Sequence, residues 1–156
     1  MTQQQGTTAT PSRAEGLRGL CGGSVQLPGD PAYDMARSPW NLQMREHPAA
    51  VAYPAFPDEV AEVLRAASAA GLRVAAQGTG HGAPPLEGRL ADAVLLRTSA
   101  MTDLQIDVDR RSVRAGAGVL WGDLADAAGR HGLAGLHPSS PDVGVVGYTL
   151  GGGIGW

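Results

Sequence analysis

Lysine is absent from the chain. All 12 basic residues are arginine, against 15 acidic ones, for a formal net charge of −3. No basic stripe results, which argues against a nucleic-acid partner. The arginine bias, with the excess of alanine, is read as codon composition rather than function. A single cysteine, Cys21, excludes an internal disulfide and a cysteine-based metal site. Four scattered histidines without a short His spacing argue against any other metal site. Aromatic residues make up only 4% of the chain, so alanine, valine and leucine must build most of the core. No apolar run is long enough to span a membrane. The N-terminus lacks the basic region followed by an apolar one that marks a secretion signal, so the default compartment is cytoplasmic. What remains is a 156-residue chain with 43% hydrophobic residues, enough for one domain with a core.

The start of the chain, rich in Gln and Thr, has the composition of a disordered segment. Glu15 to Cys21 reads as one short helix burying Leu17 and Leu20, broken by Gly22-Gly23. Pro28 to Pro31 is a turn and Ala32 to Ala36 a helical turn. Ala50 to Tyr53 is a short strand closed by Pro54. The clearest helix follows: Pro57 suits a first turn, and Asp58 and Glu59 sit where the helix dipole favours negative charge. Val60, Val63, Leu64 and Ala67 share one face, and Gly71 caps the end. Leu72 to Ala76 is then a strand, completing a β-α-β unit. Ala93 to Leu96 is a continuous apolar strand, expected to be buried on both faces. Leu104, Ile106, Val108, Val113 and Ala115 alternate with polar residues around a turn at 109–111, as in a hairpin with one face inward. Leu120, Leu124 and Ala128 mark a second amphipathic helix, with Trp121 read as core.

Glycine is abundant, at 23 residues, and two glycine-rich stretches carry the chemical signal. The first, Val74 to Ala83, runs from a strand into Gln77-Gly78-Thr79-Gly80-His81-Gly82. The second, Val143 to Trp156, holds six glycines among Val, Tyr, Leu and Ile and cannot be regular helix or strand throughout. Neither is a P-loop, since no Gly-Lys-Ser/Thr follows, and neither has the spacing of the dinucleotide fingerprint. Glycines at a strand end let a ligand approach backbone amides, and ligands of α/β layers gather at such ends. Two loops facing one ligand would suit a diphosphate held mainly by N–H groups. By itself the first loop is better read as a tight turn with an incidental histidine. His47 and His131 read as surface residues, His137 lies just before the second loop, and Asp142 reads first as a turn residue. Trp156 ends the sequence without a capping or polar tail, so the chain reads as the N-terminal piece of a longer protein, cut within an element.

Three stretches, in order, resemble one family: Val74 to Ala83 with Gly-Thr-Gly-His; Val113 to Leu133 with Arg-Ala-Gly-Ala-Gly-Val-Leu-Trp-Gly-Asp-Leu; and Pro141 to Trp156 with Pro-Asp-Val-Gly-Val-Val-Gly-Tyr-Thr-Leu-Gly-Gly-Gly-Ile-Gly-Trp. From about Ala49 onward the chain resembles the FAD-binding domain of the p-cresol methylhydroxylase and vanillyl-alcohol oxidase type, with the closer likeness to berberine-bridge-enzyme-like oxidoreductases. The resemblance implies an α+β fold of two subdomains with the FAD diphosphate buried between them, incomplete here at its C-terminus. It implies a division into a disordered tail at 1–14, a lead-in segment at 15–48 and a truncated FAD-binding domain at 49–156. Cofactor contacts would come from Gln77, Gly78, Thr79, Gly80, His81 and Gly82, and from Ser140, Pro141, Asp142, Gly144, Gly147, Tyr148 and Gly152. His81 matches the histidine that many members bond to the 8α carbon of the flavin ring, an attachment that suits a neutral imidazole nucleophile. Some members add a second link through a cysteine; Ser140 stands at that position, and a hydroxyl is a poor substitute for a thiolate, so no cysteinyl link is expected. Tyr148 stands where a histidine is common.

The implied reaction is removal of hydride from a C–H next to O or N onto flavin N5, with reoxidation by O2. The small-molecule substrate and the catalytic base would belong to a domain beyond this chain, so no catalytic residue is assigned here and the piece alone would be inactive. The alternative is a truncated remnant or binding module without catalysis. A nucleotide-dependent transferase is a weaker third reading, lacking a P-loop lysine and paired acids.

Overall fold

Strand β4 (Ala93–Arg97) occupies the middle of a four-stranded sheet. The computed structural model describes residues 12–154. The sheet runs β1 (Val25–Gln26), β2 (Ala50–Ala52), β4, β3 (Arg73–Gln77). β4 pairs in parallel with both neighbours, Val51 opposite Leu95 and Ala75 opposite the same Leu95, while β1 adds an antiparallel edge to β2. β2 and β3 flank α2 (Pro57–Ala69) in sequence, but β4 inserts between them, so the β-α-β unit is not a pair of adjacent strands.

Alternation along the strands divides the core in two. Ala50, Ala52, Val94 and Leu96 pack on one side with Val63 and Ala67 of α2, and with Leu17 and Leu27. Val51, Ala93 and Leu95 pack on the other with Tyr33 and Ala36 of α1 (Tyr33–Arg37) and with Leu90. The two-sided burial expected of Ala93 to Leu96 follows from that central position. α2 starts with Pro57 in its first turn and ends at Gly71, whose N–H reaches Ser68 O at 3.0 Å while Leu72 N–H reaches Ala67 O at 2.9 Å, a Schellman closure. Leu64 was expected on the buried face. It is 47% exposed, because α2 packs on the core through Val63 and Ala67, with the partly buried Val60, Ala66 and Ala70 beside them.

A second layer group follows. β5 (Leu104–Asp107) and β6 (Ser112–Ala115) form the expected hairpin, and α3 (Trp121–Gly129) packs beside it. Trp121 is core, as its position indicated, among Val119, Leu124 and Val145. The hairpin's inner face is short: Leu104 and Ala115 pack on this cluster, whereas Val108 and Val113 are exposed.

Several elements depart from the expectation. Residues 15–21 form a 3-10 turn at Glu15–Leu17, and a second follows at Cys21–Gly23, in place of one helix. Residues 12–14 do not join a disordered tail: Ala14 is fully buried in the main core. Residues 1–11, the rest of that tail, lie outside the described residues, as do 155 and 156. Residues 15–48 supply β1 and α1 to the layers of the sheet. Within the second glycine-rich stretch, Val145–Leu150 forms a short helix, α4, despite Gly147.

Candidate functional site

The first loop leaves the sheet where β3 ends. Thr98 N–H closes the last rung on Gln77 O at 3.1 Å, and Gly78 to Ala83 then turn away. Gly80 takes φ +89°, in the left-handed region, and a Cβ there would lie 2.5 Å from Pro39 Cβ. Only glycine lets the strap at Pro39-Trp40 sit on the turn, and Trp40 N–H fastens it by donating to Thr79 O at 2.9 Å.

The second loop is held by the start of α3. Gly122 N–H donates to Pro141 O and Trp121 N–H to Val143 O, while Val145 N–H returns to Val119 O, each at 2.9 Å. Gly144 is thereby set against Thr79, with space for only an ordinary contact to its methyl group. Behind both loops, Gly118 lies so close to Thr98 O that a Cβ would come within 2.3 Å, and Thr98 Oγ1 donates to Ala117 O at 2.8 Å. The segment 116–118 is therefore a close backbone crossing.

The two loops meet in one cleft of about 650 Å³. Of the residues expected from sequence, Gln77, Gly78, Thr79, Gly80, His81, Gly82, Gly144, Gly147 and Tyr148 line it. Ser140, Pro141, Asp142 and Gly152 do not. Sequence reasoning missed Thr98, Ala117, Val146 and Leu150, which also line it. The N–H groups of Gly78, Thr79, Gly80, His81 and Gly82 donate to no backbone acceptor among the described residues. Tyr148 Oη is buried without a hydrogen-bond partner, its ring edge-on to Trp121 at 5.9 Å. Successive free amides and an unpaired buried hydroxyl fit an anionic, oxygen-rich ligand such as a diphosphate.

Gln77 plays a different part from a simple ligand contact. Its side-chain amide donates to Glu46 Oε1 at 2.8 Å and accepts from Arg97, bridging two opposite charges that do not touch. Glu46 is 1% exposed, and burial pushes its carboxyl above the usual range, partly offset by Gln77 and by the positive charge of Arg97. His81 stacks on Trp40, with centroids 4.1 Å apart and planes inclined by 18°. Thr79 Oγ1 lies 2.7 Å from His81 Nδ1. His81 Nε2 is buried without a hydrogen bond, 3.8 Å from Asp142 Oδ1. Asp142 accepts from Ser140 and, at 2.7 Å, from Trp40 Nε1. Those two bonds hold its carboxyl below the usual range. Asp142 is thus more than a turn residue, and Ser140 serves it rather than the cleft. His137 is exposed and absent from the lining. Among the described residues, no three His, Cys, Asp or Glu side chains gather as a metal site, and no helix is long and apolar enough to cross a membrane.

The model of an FAD binding domain matches residues 48–156, which include both loops and the strands between them. The chain belongs to this family. It is 30% identical over 134 residues to (R)-6-hydroxynicotine oxidase of Paenarthrobacter nicotinovorans, covering 86% of this chain and 29% of that protein. It is 35% identical over 104 residues to D-lactate dehydrogenase of Archaeoglobus fulgidus, covering 67% of this chain and 23% of that protein. Among solved structures, 6-hydroxy-D-nicotine oxidase from Arthrobacter nicotinovorans superposes with a TM-score of 0.75 at 29% identity, over 85% of this chain and 29% of the other. The berberine-bridge-like protein BBE-like 1 of Physcomitrella patens gives 0.76 at 27%, over 84% and 29%. The fold is thus the α+β FAD-binding fold of the p-cresol methylhydroxylase type, present in part, and the relatives are FAD oxidoreductases. The chain spans under a third of the length of each of these relatives.

Proposed function

We propose that this chain is the FAD-binding part of an oxidoreductase that takes hydride from a small molecule. The observation that carries the reading is the meeting of two glycine loops in one cleft, one of them with five N–H groups free of backbone acceptors. FAD held in that cleft would supply the chemistry, as an acceptor at N5 for hydride from a C–H next to O or N, with O2 as the oxidant that restores it. The amides of 78–82, with Gly144 and Gly147 opposite, hold the diphosphate without a cationic side chain. The Tyr148 hydroxyl, buried without a partner, offers the cofactor a hydrogen bond. His81 is the candidate covalent anchor at the 8α carbon, and with Ser140 at the other position no second link forms. The substrate class is supported by two relatives whose names mark a hydroxynicotine and D-lactate, substrates with C–H next to N and to O respectively. One is named an oxidase and the other a dehydrogenase, so O2 is the acceptor we favour by similarity to the first.

Acid precipitation of the purified full-length natural protein tests this. Flavin is expected in the pellet. Flavin confined to the supernatant removes the covalent anchor and keeps FAD binding; a flavin-free protein that takes up no added FAD removes both. The second reading is a binding module without catalysis. Reduction of the bound flavin by no 2-hydroxy acid or cyclic amine, in a protein that holds FAD tightly, would decide for it.

A further inference from the structure

Trp40 is 56% exposed, yet it is held from three directions. Its backbone N–H is fixed to Thr79 O, its indole Nε1 to Asp142 Oδ2 at 2.7 Å, and its ring lies flat on His81. An indole half in solvent loses conformational entropy for this arrangement and gains little burial in return. It belongs to a strap outside the segment 48–156 that matches the FAD-binding model. Asp142 comes from the far side, 102 residues away in sequence, and it too misses the cleft. What both residues touch is His81.

We propose that Trp40 and Asp142 are a positioning pair that fixes the His81 imidazole for attachment to the flavin. This rests on the reading of His81 as the anchor. The indole covers one face of the imidazole, so the ring cannot turn without breaking the stack. The Asp142 carboxylate stands 3.8 Å from Nε2, beyond hydrogen-bond range but within ion-pair range. Its field favours the proton on Nε2. The Nδ1 lone pair, to which Thr79 Oγ1 donates in the resting site, is then the nucleophile. As Nδ1 forms its bond, positive charge builds on the ring and the proton leaves from Nε2, on the side where the carboxylate already sits. In the net change one 8α C–H and the imidazole N–H give way to a C–N bond. Two electrons pass through the flavin to dioxygen, which leaves with two protons as hydrogen peroxide.

The test uses the full-length natural protein, prepared free of flavin, as wild type, Trp40→Leu, Asp142→Asn and His81→Ala. Two quantities are followed after adding FAD: its reversible dissociation constant at early times and the rate at which flavin becomes acid-stable. The expected result is attachment slowed about 10- to 100-fold in Trp40→Leu and Asp142→Asn, with the dissociation constant within about threefold of wild type. Ring-proton NMR of histidine-labelled, flavin-free protein gives a signature that stability alone does not move. The His81 signals, identified by their loss in His81→Ala, are expected upfield under the indole ring current. They move back toward the solvated position in a further variant, Asp142→Ala, where the indole is present but has lost the acceptor of its Nε1. Should Trp40→Leu fail to fold, Trp40→Phe, which keeps a ring but no donor, is expected to show the same slowing. Attachment at the wild-type rate in the Trp40 and Asp142 variants, or unmoved His81 signals in Asp142→Ala, overturns the pair and leaves the anchor intact. No acid-stable flavin in wild type overturns the anchor and the pair together, while reversible FAD binding still stands.

Discussion

Glu46 is a buried carboxyl whose one hydrogen-bond partner is neutral. Its Oε1 takes one neutral hydrogen bond from Gln77, and its Oε2 is buried with none. The native pKa is raised by desolvation, so the folded state holds a proton that the unfolded chain has already released. Stability must therefore fall as pH rises from the ordinary carboxylate range, about 4.3, through the raised native value, and level off above it. Glu46→Gln keeps an acceptor for Gln77 without the charge. It is expected to raise the melting temperature at pH 7 by on the order of 2–4 °C, the shift that ~1 kcal/mol produces in a chain of this size, and to give no gain near pH 4. Melts at the two pH values check this; an equal gain at both would assign the effect to shape rather than charge. Gly80→Ala acts on the same region. Its φ of +89° and the 2.5 Å approach to Pro39 Cβ leave no relaxed place for a methyl group, so a loss of about 1–3 kcal/mol is expected in urea melts, with a shifted emission from Trp40 as the strap is displaced. These residues differ in how far the sequence announced them. His81 and the glycines were legible because they are neighbours and their pattern is local. Glu46 and Trp40 were not, because their partners lie 31, 41 and 102 residues away and nothing in the spacing joins them.

At the scale of elements, the strongest periodic signals held and the weak ones did not. α2 was readable from Pro57 to Gly71 because its start signals, apolar face and cap agree with one another. β4 was readable because four consecutive apolar residues need two buried faces. β1 is two residues long and carries no period, and α4 contains a glycine and exists because Val145 is anchored to Val119 and packed in the third cluster. The exposure of Leu64 is a related lesson: helical spacing identifies a face, but the packing beneath decides how much of it is covered. Two substitutions measure the difference. Leu95→Ala, at 0% exposure in the central strand, is expected to cost about 2–5 kcal/mol. Leu64→Ala, at 47% exposure, is expected to change stability by no more than about 0.5 kcal/mol. Both are read from urea midpoints at constant slope. A large loss from Leu64→Ala would mean that its face is covered in solution.

For the molecule as a whole, the two glycine loops meet in one cleft because the first leaves the end of β3 and the second is fastened to the start of α3. What the sequence left open is how much of a ligand the chain can enclose. The cleft has about 650 Å³ and is lined on one side by Leu150, which is 83% exposed, with Leu136 and Ile154 also 70% and 80% exposed nearby in sequence. Ligand sites of high affinity bury most of the ligand surface, and large apolar side chains left in water mark places where further contact forms. The relatives that share this fold are more than three times as long as the part matched here. The 156-residue chain, once circular dichroism shows it folded, is therefore expected to bind FAD at least about 100-fold more weakly than the full-length protein, a difference of about 2.7 kcal/mol. Quenching of flavin fluorescence gives both constants. Equal affinities would mean that the free amides and Tyr148 supply nearly all of the binding energy. A weaker but measurable affinity, abolished by Gly78→Val at the mouth of the first loop and unaffected by Val108→Ser on the hairpin, would place the ligand in this cleft and assign the remaining energy to the surfaces that cover it.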